Sequence, residues 1–147
     1  MNINNNIQKL IQESSIFYRS GPKQNIKEFI PRILKSAHKD SLKSTELIYV
    51  TDDSSYAAGF CFDWDDRDGF SFGKINNKQW MLKVPERFKD KLNSKCSMYH
   101  VTGKFEKIKE LSTPEYLSRS IVKVVKEIKF SSCWECLKTY NVKVVIN

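Results

Sequence analysis

Alternating apolar and polar residues are the clearest pattern along the chain. In the segment 78–85, KQWMLKVP, every second side chain is apolar, which is typical of a strand with one buried face. Short runs rich in β-branched and aromatic residues have the same character. They predict strands at 15–20, 46–50, 70–75, 97–103, 120–130 and 142–146. Gly21 and Pro22 form a breaker pair that ends the first of these strands.

Helical spacing is confined to short segments. Ile7, Leu10 and Ile11 lie at i, i+3 and i+4 and predict a helix within 6–14. The segment 25–39 has some helical periodicity, although Pro31 interrupts it. Shorter helices are predicted at 54–62, with a serine near the cap, at 85–93, opening with Pro85, and at 131–140, with a serine cap.

The order of these elements predicts the fold class. Strands often follow one another directly instead of alternating with helices, which favours an α+β fold over βαβ units. The chain has 147 residues, no internal repeat and no Gly/Pro/Ser-rich linker. We therefore expect one domain, residues 1–147, with a core large enough to need no metal or disulfide.

The net charge and the N-terminal residues bear on the partners and the cellular location of the protein. The net charge of +8 favours anionic partners, but the basic residues are scattered and also fit a solubilising surface. The first 15 residues lack the apolar region of a signal peptide, and no stretch approaches a membrane span of about 20 apolar residues. We expect a cytoplasmic protein with no membrane partner.

The four cysteines are expected to be reduced thiols. Cys133 and Cys136 form a CxxC on a predicted helix, where both side chains face one way. Three interpretations remain open for this pair: packed core thiols, a redox pair and a metal site. Core thiols are favoured because a tetrahedral zinc site needs four ligands and the sequence shows no second CxxC. The expectation is that no structural metal is bound.

Three further segments carry candidate binding chemistry. The segment 16–21, IFYRSG, ends a strand with Arg19 and Ser20. The segment 48–60, IYVTDDSSYAAGF, ends a strand near Tyr49 and Thr51 and enters a helix of small residues. The segment 112–124, STPEYLSRSIVKV, places Glu115 in a turn just before a strand. Their order and content resemble the ADP-ribosyltransferase fold family, which includes the poly-ADP-ribose polymerases and the bacterial mono-ADP-ribosylating toxins.

The resemblance implies a split antiparallel β-sandwich-like core with short flanking helices, and NAD as the substrate. Arg19 and Ser20 would hold the NAD ribose or phosphate. Tyr49 and Phe60 would face one another across a nicotinamide-sized slot, lined by Thr51 and Ala57. Glu115 would stabilise the oxocarbenium-like transition state, and Glu106 and Glu110 are close enough in sequence to compete for that role. The chain combines an arginine at position 19 with an aromatic residue at position 49, whereas family members pair His with Tyr or Arg with Ser-Thr-Ser.

Alternative interpretations keep the same residues in structural roles. Tyr49 and Phe60 would then be core aromatics, Arg19 a surface cation and Glu115 a strand cap. At the level of function, the resemblance implies transfer of ADP-ribose from NAD to a macromolecular acceptor, protein or nucleic acid, or hydrolysis of NAD. The alternatives are a catalytically inactive member of the fold that binds a nucleotide or a protein, and a small basic nucleic-acid-binding protein.

Overall fold

The computed structural model describes residues 16–33, 45–108 and 113–147. These residues form an α+β structure with mainly antiparallel sheets and few helices, as the sequence predicts. Its strands are, in chain order, β1 (Phe17–Gly21), β2 (Glu28–Phe29), β3 (Arg32–Ile33), β4 (Thr45–Glu46), β5 (Ile48–Thr51), β6 (Ser71–Ile75), β7 (Gln79–Val84), β8 (Cys96–Thr102), β9 (Glu106–Lys107), β10 (Glu115–Ser118), β11 (Val122–Phe130) and β12 (Lys143–Ile146).

The helices of the described residues are short. They are the α-helices α1 (Ser54–Ala58) and α2 (Cys133–Thr139) and two 3-10 helices, Asp66–Asp68 and Glu86–Asn93. Ser132 caps α2 as predicted, since its side chain accepts a hydrogen bond from the Glu135 amide. No helix of the described residues is long and apolar enough to cross a membrane.

Seven strands form the large sheet, in the spatial order β2-β11-β8-β1-β5-β10-β9, with antiparallel pairing throughout. A second sheet has the order β12-β7-β6, in which β12 runs parallel to β7. A third pairs β3 with β4. The β6–β7 hairpin turns at Asn76 and Asn77, both with positive φ, a conformation that asparagine tolerates and that suits a tight hairpin turn.

Two apolar clusters cover opposite faces of the large sheet. Along β8, Met98 belongs to the larger cluster, whereas Tyr99 and Val101 belong to the smaller one. Alternate residues of a strand point to opposite faces, so this division separates the two sides of the sheet. The larger cluster also contains Leu82 and Val84 of β7. It therefore fills the space between the large and the three-stranded sheet.

Two local predictions need correction. Within 25–33 the chain forms the short strands β2 and β3 instead of a helix, and β2 pairs with β11 through Phe29 and Val122. Pro31 lies between β2 and β3, where it removes a donor that a helix would need. Glu115 is the first residue of strand β10, not part of a turn. The helix predicted at 6–14 and the remainder of 25–39, from 34 on, lie outside the described residues.

Candidate functional site

The large sheet places the three predicted site segments side by side. Strand β5, from the segment with Tyr49 and Thr51, lies between β1 and β10. Thr51 is in register with Tyr18 of β1 on one side and with Glu115 of β10 on the other. Residues in register across neighbouring strands lie on the same face of a sheet. Tyr18, Thr51 and Glu115 therefore form one row, which we call the Glu115 row.

Helix α1 supplies a partner for the carboxylate at the end of this row. The Tyr56 hydroxyl donates a hydrogen bond to Glu115 Oε1. Burial raises the pKa of Tyr56, and the hydrogen bond to Glu115 and the charge of that carboxylate raise it further. The phenol therefore stays a donor at neutral pH. Tyr56 was not among the predicted site residues, although its place in the first turn of a helix that follows β5 could have suggested it.

The position of Tyr56 is fixed by the cap of α1. Asp53 precedes the helix, and its Oδ1 accepts hydrogen bonds from the amides of Ser55 and Tyr56, at 3.0 and 3.2 Å. The other carboxylate oxygen accepts from Trp80 Nε1 at 2.9 Å. The Trp80 ring packs against the Tyr56 ring, with centroids 4.8 Å apart. Asp53 thus orients both the start of the helix and the Trp80 ring that packs against Tyr56.

Ser20 joins strand β1 to the same helix. Its hydroxyl donates to the carbonyl oxygen of Ala57. Ala57 and Ala58 are buried against the sheet, where a small side chain lets the helix approach closely. Of the predicted ligand-binding residues, Ser20 and Ala57 are therefore in direct contact with each other.

Tyr49 and Phe60, which were predicted to face one another across a slot, are both partly exposed and have different surroundings. Phe72 occupies the space beside Gly59, because a Cβ built on Gly59 would lie only 2.3 Å from the nearest atom of the Phe72 ring. Phe60 is 38% exposed and its ring stacks on Trp64, with centroids 5.6 Å apart. Tyr49 is 46% exposed. No ring contact joins Tyr49 to Phe60 in the described part of the chain.

Arg19 connects β1 to β5 through its side chain. Its Nη1 donates to the carbonyl oxygen of Tyr49 at 2.9 Å, and its guanidinium lies over the Phe29 ring, 4.8 Å from the centroid. Because Arg19 follows Tyr18 in the strand, it points to the face opposite the Glu115 row. The backbones of β1 and β5 pair at Tyr18 and Thr51. The Arg19 side chain adds a second link between the two strands through its hydrogen bond to the Tyr49 carbonyl oxygen.

The competing glutamates differ from Glu115 in their surroundings. Glu106 lies on β9, is exposed, and forms an ion pair with Arg119 at 3.5 Å. Glu110 lies outside the described residues. Glu115 is partly buried, and its partner in the described contact is the neutral phenol of Tyr56. That contact does not neutralise the charge of the carboxylate. A partly desolvated carboxylate of this kind can stabilise a developing positive charge.

Two surface cavities lie apart from Glu115. One, of about 490 Å³, is bordered by Phe60, Trp64 and Phe72 together with Asp65 and Asp66. The other, of about 710 Å³, is bordered by three cations, Lys104, Arg119 and Lys123, and by apolar residues that include Ile30 and Ile121. The first places Phe60 at an open aromatic surface. The second carries three basic side chains, of which Arg119 is ion-paired with Glu106.

Comparison of the chain with protein-family models, with curated proteins and with solved structures finds no match.

Proposed function

We propose that this protein cleaves the N-glycosidic bond of NAD and acts as an ADP-ribosyltransferase or as an NAD hydrolase. The observation that supports the proposal is the adjacency of β1, β5 and β10, with Thr51 in register with both Tyr18 and Glu115. The three segments that resemble the ADP-ribosyltransferase family are separated in sequence, and the proposal requires them to meet. We also propose that the fold has the split β-sandwich-like architecture of that family.

The proposed chemistry centres on Glu115. Nicotinamide leaves with the electron pair of the glycosidic bond, and positive charge develops on the ribose. The Glu115 carboxylate stabilises that charge, while Tyr56 holds the carboxylate in place. An acceptor hydroxyl, amine or water then bonds to the ribose carbon and passes its proton to Glu115 acting as a base. Transfer to a macromolecule and hydrolysis differ in that last nucleophile.

In this proposal the remaining residues either bind the ligand or hold the strands and helix of the site in place. Tyr49 is exposed and on the same face as Thr51, so its ring is available to stack on nicotinamide. Phe60 offers a second exposed aromatic surface beyond α1. Ser20 and Ala57 hold α1 against β1. Arg19 lies on the face of the sheet opposite Glu115 and holds β1 to β5 through the carbonyl oxygen of Tyr49, so it supports the site without contacting the ligand.

The experiment that tests binding is calorimetric titration of the full chain with NAD and with nicotinamide, alongside a melting curve. A ligand that binds only the folded chain raises its melting temperature. We expect saturable NAD binding and a higher melting temperature. NAD binding without nicotinamide release would favour an inactive binding module. Absence of binding at millimolar NAD would contradict both.

A second candidate function rests on the basic cavity. Lys104, Arg119 and Lys123 converge on one surface of a chain with net charge +8, which favours a nucleic acid as partner or acceptor. Affinity for DNA or RNA would then fall steeply with salt, and Lys123→Gln would reduce the slope of that dependence by about one ion. Binding that persists unchanged in the variant would exclude this surface.

A further inference from the structure

All four cysteines of the chain belong to one buried cluster of the core. Cys61 follows α1, Cys96 is the first residue of β8, and Cys133 and Cys136 lie one turn apart on α2. Each of the four side chains has 0% exposure, and none forms a disulfide. Three chain segments that are far apart in sequence thus contribute every cysteine of the protein to the same core cluster.

The separations of the sulfur atoms fit a shared ligand. The Sγ atoms of Cys61, Cys96 and Cys133 all lie within 4.8 Å of one another. In a tetrahedral zinc site, with Zn–S bonds of about 2.3 Å, the sulfurs are about 3.8 Å apart. A small inward movement of the side chains would bring the three thiols to that spacing.

Cys136 is the candidate for the fourth ligand. It follows Cys133 by about one turn of α2, is equally buried and belongs to the same core cluster. A CxxC pair of this spacing commonly supplies two of the four ligands of a structural zinc site. The Cys96 and Cys133 thiols also approach the carbonyl oxygens of Ser132 and Cys61, at 4.0 and 3.8 Å, so the backbone of each segment borders the same small volume.

Neither a disulfide nor ordinary apolar packing would require this arrangement of cysteines. A disulfide joins two sulfurs about 2.0 Å apart and has no need of a third and fourth thiol in contact. A purely apolar core would gain more buried area from leucine or valine at these positions. Three mutually close, water-excluded thiols and a fourth buried one helical turn from Cys133 provide the four sulfur donors that closed structural zinc sites use.

We propose that Cys61, Cys96, Cys133 and Cys136 form a four-cysteine site that binds one zinc ion. On binding, each thiol releases its proton to solvent and its sulfur bonds to the metal as a thiolate. With four protein ligands the site has no open position, so its role is structural. This inference does not rest on the proposed function.

The proposed metal would tie together the parts of the fold that surround α1. It would link the segment after α1 to the start of β8 and to α2. Helix α1 carries Tyr56, the hydrogen-bond donor to Glu115. The lone CxxC of the sequence pointed to packed thiols because only two ligands were evident. The missing two, Cys61 and Cys96, are single residues that only the tertiary structure brings to the pair.

The test uses the full chain, expressed in zinc-containing medium and purified under reducing conditions without chelator. Elemental analysis is expected to give about one zinc per chain, and chelation under denaturing conditions followed by refolding is expected to give a lower melting temperature. Refolding with Co²⁺ is expected to give the intense visible absorption of tetrahedral cobalt thiolate.

Variants assign the ligands. Cys61→Ser and Cys136→Ser are expected to lose most of the bound zinc. Met98→Leu, a fully buried change of similar volume on the strand that holds Cys96, is expected to retain it. If the cysteine variants fail to fold, the cobalt spectrum of the unaltered chain shows whether thiolates bind the metal. A folded, metal-free chain with four free thiols, or an intact mass lowered by disulfide formation, would overturn the proposal.

Discussion

The Tyr56 hydroxyl donates a hydrogen bond to the Glu115 carboxylate, which joins two residues 59 positions apart in the sequence. Tyr56 is held by the Asp53 cap and by the ring of Trp80. Glu115 is held by the register of β10 with β5. The contact therefore couples helix α1 to the Glu115 row, and the predictions below begin from it.

Removing the Tyr56 hydroxyl tests this coupling. Tyr56→Phe keeps the ring in its aromatic cluster but leaves the partly buried carboxylate without its donor. We expect a loss of about 1–3 kcal/mol in the free energy of unfolding, the range for leaving a buried acceptor without its hydrogen-bond partner. Urea denaturation followed by circular dichroism measures it. The control is Tyr116→Phe, since that hydroxyl donates to Asp52 in an exposed contact that water can replace. Equal losses in both variants would argue against a special Tyr56 contact.

The close approach of Gly59 to Phe72 gives a second prediction. Gly59→Ala places a methyl group 2.3 Å from the nearest atom of the Phe72 ring, so we expect overpacking to cost about 1–3 kcal/mol of stability. Gly73→Ala is the matched control, because a Cβ there meets nothing within 4 Å. Thermal denaturation of both variants compares them. A Gly59 variant as stable as the Gly73 variant would mean that Phe72 moves aside at no cost and that the space beside Gly59 is available.

The exposed ring of Tyr49 has no evident packing role on its solvent side. If it stacks on nicotinamide, Tyr49→Ala weakens NAD binding by about 1–3 kcal/mol, the range for a lost aromatic contact and its burial. The melting temperature should change little. Calorimetric titration with NAD measures the effect, and Trp134→Ala, which removes an exposed aromatic ring from α2, serves as the control. Unchanged NAD affinity in Tyr49→Ala would remove Tyr49 from the site.

The stability of the fold should depend on pH through His100. Desolvation and the neighbouring Lys126 lower the pKa of His100 in the folded chain, and Tyr18 packs against its ring edge-on. The unfolded chain takes up a proton at this residue near pH 6.5, where the folded chain resists it. Stability is therefore present above about pH 6.5 and falls as the pH drops below it.

His100→Gln removes this group and should flatten the decline. Melting temperatures of the parent and the variant, taken from roughly pH 7 down to pH 5, make the comparison, and His38 is common to both chains. An identical decline in the two proteins would show that other groups determine the acid sensitivity.

The local elements of the fold could be predicted from the sequence. Strands β5, β7 and β8 have the apolar and β-branched composition that a buried strand needs, and the serine before α2 caps that helix as expected. These features depend on neighbours within a few residues. By contrast, β2 exists because Phe29 pairs with Val122, and no local pattern reveals a partner about 90 residues away.

The arrangement of the candidate site also depends on contacts between distant segments. Arg19, Thr51 and Glu115, which the sequence singled out, lie on the adjacent strands β1, β5 and β10. The face of the sheet to which each side chain points depends on register, which the sequence does not specify, and this is why Arg19 and Glu115 lie on opposite faces. Tyr56 and the convergence of Cys61 and Cys96 on the CxxC pair are also contacts between distant segments.

The most direct test of the proposed function is the rate of nicotinamide release from NAD by the full chain and by two glutamate variants. Glu115→Gln keeps the shape of the side chain but removes the charge that faces the developing cation. We predict that it lowers turnover by about 100-fold or more, with the fold and NAD affinity nearly unchanged. Glu106→Gln, an exposed residue of β9, should retain the parent rate. A parent chain that releases no nicotinamide, or a Glu115→Gln variant that releases it at the parent rate, would contradict the account.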